Sequence, residues 1–315
     1  MSLIEQAAKR LEELRAAGVE LPGDAPASPA AAGGQPASVI ERASARSGGS
    51  GAAAAPSVSR SPSPAEPMAP VPIVALDLDR LKAIGMITPD APRSQVADEF
   101  RVVKRPLLAN ATGKGATRVE NGNLIMVTSA LPGEGKSFTA INLAMSIAME
   151  LDHTVLLVDA DVARPSLLKT LGLPATKGLL DVLVEDSLDL RGVLVKTDVE
   201  KLTILPAGTQ HPRATELLAS EAMNRLLEDM GHRYSDRIII FDSPPLLVTT
   251  ESRVLATHMG QVVVVVEAQR TQQSAVKQAL STIEACPVKM MMLNKGRSAS
   301  GTDTYGYGYG YGYGS

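Results

Sequence analysis

Leu124-Ile-Met-Val-Thr-Ser-Ala130-Leu-Pro-Gly-Glu-Gly-Lys136-Ser137 is the stretch on which the fold turns. Leu124–Thr128 is an apolar run of strand length, and from Ser137 to Met149 the apolar residues recur at helical spacing. Between them, Ala130 to Ser137 matches the P-loop pattern, with Ala130 where the first glycine usually stands. The physics follows from the residue types. Gly133 and Gly135 let the backbone curl so that its N–H groups face phosphate, helped by the helix N-terminus. Lys136 brings positive charge to β- and γ-phosphates, and Ser137 offers a hydroxyl to Mg²⁺. Pro132, Gly133, Glu134, Gly135, Lys136, Ser137 and Phe138 are the expected nucleotide contacts.

Two acidic strand ends follow. Leu156-Leu-Val-Asp159-Ala-Asp161 places two carboxylates one residue apart, a conflict that a metal ion or a shared proton relieves. Ile238-Ile-Ile-Phe-Asp242-Ser-Pro-Pro245 ends an apolar strand on an aspartate, the Walker B arrangement for Mg²⁺. Ligands of open α/β sheets bind at that edge of the strands. Lys136, Asp159, Asp161 and Asp242 are therefore the expected catalytic groups, and Ser137, Asp159, Asp161 and Asp242 the expected metal site.

Outward from this centre the pattern repeats. Val155–Val158, Leu202–Leu205, Ile238–Phe241, Val262–Val266 and Val288–Leu293 read as further strands. Ser94–Leu108, Thr215–Met230 and Gln273–Ala285 read as helices. Near-continuous apolar strands alternating with helices predict an α/β P-loop NTPase, a mostly parallel sheet with helices on both faces. The domain spans 73–297. Ahead of it, residues 1–18 carry Leu3, Ile4, Ala7, Leu11 and Leu14 at helical spacing, an amphipathic helix stopped by Gly18. Residues 19–72 turn to Ala, Pro, Ser and Gly and read as a disordered linker, with an end-to-end distance on the order of 40 Å.

Composition removes several function classes. A net charge of −3 gives no basic body for nucleic acid. A single cysteine, Cys286, excludes a disulfide framework and fits a reducing cytoplasm. No apolar run reaches membrane-spanning length, and the N-terminus lacks a signal-peptide core. Any membrane association is then peripheral, through a partner.

Together the loop Pro132–Ser137, Asp159-Ala-Asp161 and Asp242-Ser-Pro-Pro245, with Pro212 and Thr215-Glu-Leu-Leu218, resemble the bacterial tyrosine kinases (BY-kinases) of capsule and exopolysaccharide systems. Within that group the chain is most similar to the autokinases of exosortase-linked exopolysaccharide clusters. The resemblance implies an ATP- and Mg²⁺-dependent protein-tyrosine autokinase, a ring oligomer, a cognate tyrosine phosphatase and a separate membrane-embedded polysaccharide co-polymerase as activator, holding the kinase at the inner membrane. It also implies Asn294 as a base contact and Asp98, Arg101 and Lys104 as the oligomerisation motif. The family's second arginine is lysine here, which loses bidentate carboxylate contacts. Its Leu-Arg after the paired aspartates is replaced by Val162-Ala163, with Arg164 one place later. By fold the nearest relatives are the ParA and MinD ATPase switches, the alternative reading; their signature lysine is replaced by Leu131.

The tail at 298–315 completes the expectation. Tyr305, Tyr307, Tyr309, Tyr311 and Tyr313 alternate with glycine and leave only Tyr234 elsewhere. Such a repeat cannot pack a core, and reads as a flexible cluster of phosphate acceptors for a neighbouring subunit. Extended, it reaches roughly 60 Å. A phenol with a pKa near ~10 needs a base, and Asp159 or Asp161 is placed to serve.

Overall fold

The computed structural model describes residues 73–296, apart from 92, 186 and 234–236. The expected helix at 1–18, the linker at 19–72, the tail with its five tyrosines, and Tyr234 lie outside the described residues.

The strands are β1 (Ile73–Val74), β2 (Leu124–Ser129), β3 (Thr154–Asp159), β4 (Val195–Thr197), β5 (Leu202–Leu205), β6 (Arg237–Asp242), β7 (Gln261–Glu267) and β8 (Val288–Asn294). They form one sheet in the order β1-β4-β5-β3-β6-β2-β7-β8. Every neighbouring pair is parallel except β4 with β5. The central strands β2, β3 and β6 are buried along almost their whole length, apolar in the middle and polar only at their ends, because both faces are covered. Successive side chains enter opposite cores. Met126, Leu156, Val158, Phe241 and Val264 belong to one; Ile125, Val127, Leu157, Ile240 and Val265 belong to the other.

The helices are α1 (Leu78–Ala83), α2 (Gln95–Ala111), α3 (Lys136–Ala148), α4 (Leu167–Leu171), α5 (Leu179–Val184), α6 (Ala214–Leu218), α7 (Glu221–Arg233), α8 (Glu251–Thr257) and α9 (Gln273–Ser281). Those of α2 and α3 cover the second core and those of α6 to α9 the first, so the sheet is a three-layer sandwich as expected. Ser94 caps α2, its hydroxyl accepting from the Ala97 N–H at 3.1 Å.

Two helix expectations need correction, and two strands are additional. The helix expected over Thr215–Met230 is two helices, because Ser220 ends one and starts the next. Its hydroxyl donates to the Leu217 carbonyl at 2.7 Å and accepts from the Met223 N–H at 3.3 Å. The helix expected to Ala285 stops at Ser281, with Thr282 turning its hydroxyl back onto the Ala279 carbonyl at 2.7 Å. β1 and β4 were not expected, being too short to show a period. Cys286 is a buried free thiol, and burial pushes its pKa up.

Lys104 does not stand with its motif partners. Asp98 and Arg101 pair with each other on the exposed face of α2. Lys104 is buried, donates to the Ser146 carbonyl at 2.6 Å and pairs with Glu150, so it clamps the C-terminal end of α3. Its charge holds the Glu150 carboxyl below the usual range.

Candidate active site

Strand register assembles the site. β3 and β6 pair so that Asp159 lies directly beside Asp242, and β2 runs on the other side of β6 with Val127 opposite Asp242. The loop after β2 therefore begins next to both carboxylates. Gly133 (φ 86°) and Gly135 (φ 99°) take left-handed conformations that turn the chain into α3. A β-carbon on Gly135 would also sit 2.0 Å from the Asn294 amide nitrogen. Gly135→Ala is thus expected to destabilise the protein by roughly 2 kcal/mol or more and to weaken nucleotide binding with it. Thermal unfolding and ADP titration check both effects.

The loop is braced from the β7–β8 side. Asn294 donates to the Glu134 carbonyl at 2.9 Å and Lys295 to the Gly133 carbonyl at 2.7 Å. The Glu134 carboxylate, itself buried, accepts from the Leu131 N–H at 2.7 Å and from the Thr271 hydroxyl. The bracing residues Thr271 and Lys295 were missed by sequence reasoning, since their partners are set by strand order alone. Asn294, expected at a base, has its amide N–H turned to the loop.

Lys136 and Asp161 form an ion pair at 2.7 Å. The other Asp161 oxygen accepts from the Arg164 N–H at 3.2 Å, so both are engaged. Arg164 itself is exposed. In Asp159, Oδ2 accepts from the Ser166 and Leu167 N–H groups at 3.1 and 3.0 Å. Its Oδ1 is buried with no hydrogen bond, as are both carboxylate oxygens of Asp242. Burial pushes Asp159 up to about 6, helped by the negative charge of Asp161. Burial pushes Asp242 up to about 7 against the pull of Lys136 and the nearby Ser137 hydroxyl.

Buried carboxylate oxygens without protein donors fit a cation site, because a buried charge needs a partner. Among the described residues no three His, Cys, Asp or Glu side chains converge into a metal cage. That suits Mg²⁺, which takes one or two carboxylates and keeps phosphate and water for the rest. The donor set that fits is Asp242 with Ser137, and Asp159 alongside.

Comparison with known proteins gives the family. The AAA_31 family, an AAA domain, matches residues 122–294. Tyrosine-protein kinase YwqD of Bacillus subtilis (strain 168) is 29% identical over 207 residues, 66% of this chain and 83% of that protein. The chain belongs to the bacterial tyrosine kinase family.

A further relative and a solved structure are also similar to this kinase-family chain. The succinoglycan biosynthesis transport protein ExoP of Rhizobium meliloti (strain 1021) is 31% identical over 217 residues, 67% of this chain but 26% of that longer protein. The crystal structure of the chimerical protein CapA2B2 superposes with a TM-score of 0.56 at 27% identity, covering 70% of this chain and 94% of that one. The loop Pro132–Ser137 is accordingly a nucleotide-binding P-loop. No described helix is long and apolar enough to cross a membrane.

Proposed function

We propose that this chain is a protein-tyrosine autokinase that transfers the γ-phosphoryl group of MgATP to Tyr305, Tyr307, Tyr309, Tyr311 and Tyr313, from one subunit to the tail of another. The observation that carries it is the meeting of Lys136, Asp159, Asp161 and Asp242 at one sheet edge beside the P-loop, with three buried carboxylate oxygens unpartnered. Mg²⁺, held by Asp242 and Ser137, would neutralise phosphate charge in the transition state. Lys136 and the loop N–H groups stabilise the charge of the transferring group. Asp161 orients Lys136. Asp159 takes the phenolic proton, since both oxygens of Asp161 are engaged.

The setting is exopolysaccharide polymerisation and export, of the exosortase-linked type. A separate membrane-embedded co-polymerase would bind and activate the kinase; the match to a succinoglycan biosynthesis transport protein supports the exopolysaccharide setting. A cognate phosphatase would reset the tail. Each phosphotyrosine adds about −1.5 to −2 charges, so a fully modified tail repels its neighbours and loosens a ring built on neutral ones. Asp98 and Arg101, paired with each other, would contribute to that ring, while Lys104 acts inside the subunit.

Phosphotyrosine mapping of the purified chain with MgATP, with and without the cytoplasmic segment of the co-polymerase, tests the reading. Label is expected within Tyr305–Tyr313 and to rise with the activator. A chain that hydrolyses ATP and leaves every tyrosine unmodified in both conditions ends it.

A further inference from the structure

We infer that Ser166 is a positioning residue for the metal site: its hydroxyl holds the Ser137 hydroxyl in the orientation that leaves the Ser137 oxygen open to Mg²⁺. The inference rests on the placing of Mg²⁺ at Asp242 and Ser137, and it does not depend on which group accepts the phosphoryl.

The hydrogen bonds at the start of α4 carry the argument. Ser166 is the N-cap residue of that helix. A serine there ordinarily accepts from an N–H two or three residues on, but the Ser166 side chain makes no such bond. Its hydroxyl lies instead 3.2 Å from the Ser137 hydroxyl, 29 residues back in the chain. The first N–H groups of α4 are not left bare, because Asp159 Oδ2 accepts from both Ser166 and Leu167. The two residues have exchanged duties. A carboxylate at the end of β3 caps the helix, and that releases the serine hydroxyl for the P-loop.

The segment after β3 thereby holds two successive side chains at the start of α3. Asp161 pairs with Lys136, and Ser166 meets Ser137. The chemistry of a hydroxyl says what the second contact is for. A hydroxyl has one proton and two lone pairs. When its oxygen gives a lone pair to a cation, its proton must turn away from that cation and find an acceptor. Asp242 is committed to the same Mg²⁺. Ser166 Oγ accepts from no N–H of its own helix, so its lone pairs are free to receive the Ser137 proton. Partners of this kind fix the orientation of a metal ligand, and their loss typically lowers metal affinity about 10- to 100-fold.

The test uses the full chain and measures ADP binding with and without metal. Ser166→Ala removes the hydroxyl but keeps the N–H groups that hold Asp159, since those belong to the main chain. Its Kd for ADP in EDTA is expected to stay within about twofold of wild type, while the Mg²⁺ concentration that half-saturates the ADP-bound protein rises about tenfold. Ser166→Thr keeps a hydroxyl and should need no more than about twice the wild-type Mg²⁺. In a Ser137→Ala background the ligand hydroxyl is already gone, so adding Ser166→Ala should raise the requirement by less than about twofold. Ser166→Gly, well tolerated at an N-cap, gives the same reading should the alanine chain unfold. An unchanged Mg²⁺ requirement in Ser166→Ala, an equal loss of ADP affinity in EDTA and in Mg²⁺, or a threonine variant that behaves like alanine overturns the assignment. Wild-type ADP binding that is blind to Mg²⁺ overturns it together with the metal site on which it rests. Failure to label any tyrosine would instead overturn the kinase reading, because no step of this measurement needs an acceptor.

Discussion

Lys136→Met is expected to lower phosphotyrosine formation about 10²- to 10³-fold, the scale seen when one preorganised charge-stabilising donor is removed from a water-excluded site. The side chain also has a structural role in the nucleotide-free protein, and the two must be separated. Lys136 is the ion-pair partner of Asp161, whose carboxylate is almost wholly buried. Removing one member of such a pair strands the other, at a cost of about 3–5 kcal/mol. The single variant should therefore melt lower as well as fail to label. Lys136→Met combined with Asp161→Asn removes both charges, and should recover most of the lost stability while activity stays absent. Thermal unfolding and anti-phosphotyrosine labelling on the same samples read the two effects. Activity returning together with stability would mean that Lys136 only holds the fold, and the proposed chemistry would fail.

The P-loop was legible because the sequence changes period within a few residues, from a strand run to helical spacing, with glycines at the join. Asp159 and Asp242 were legible for a related reason: each ends an apolar strand, so its depth in the sheet follows from the run behind it. That the two carboxylates lie side by side was not legible. It depends on β3 pairing with β6, and sequence order does not reveal that β6 inserts between β3 and β2. The same blindness hid Thr271 and Lys295, which reach the loop only because β7 and β8 lie beside β2 on its other side.

Lys104 is a different case, since the signal of its burial was present. Ala97, Phe100, Lys104 and Leu107 are the buried positions of α2, a spacing of three and four that marks one helix face. Reading charges at 98, 101 and 104 as one motif overlooked the 100° turn per residue, which carries residue 104 about 120° around the helix from residue 98. The lysine occupies a core position and is tolerated there because the Ser146 carbonyl and Glu150 meet its charge. The break at Ser220 was likewise readable in principle, as a serine in cap position before Glu221. Helical spacing on both sides masked it.

Asp242→Asn is expected to make the nucleotide-free protein more stable while abolishing its kinase activity. The Asp242 carboxyl is fully buried, neither oxygen has a hydrogen bond, and burial raises its pKa from 3.8 to about 7. The folded state thus holds the proton more tightly than the unfolded chain. Between pH 4 and 7 the native protein binds more protons than the unfolded one, so its stability falls as pH rises through that window, and above it the full cost of a buried charge remains. The amide removes the charge. It leaves a buried donor group without a partner, which costs about 1–3 kcal/mol and offsets part of the gain. The net gain at pH 8 should be roughly 1–3 kcal/mol, given about 1.4 kcal/mol per pKa unit. Near pH 4 the wild-type carboxyl is protonated as well, and the gain should vanish or change sign. Asp159, raised in the same direction to about 6, stands beside Asp242 and repels it, so loss of the Asp242 charge also eases Asp159 and adds to the gain. MgADP should reverse the ranking: the wild type gains stability by binding metal at Asp242, and the variant, lacking that ligand, gains far less. Denaturant unfolding at pH 4 and pH 8, with and without MgADP, measures all four states. A variant less stable than wild type at pH 8, or an equal response to MgADP, would overturn Asp242 as the carboxylate that binds Mg²⁺.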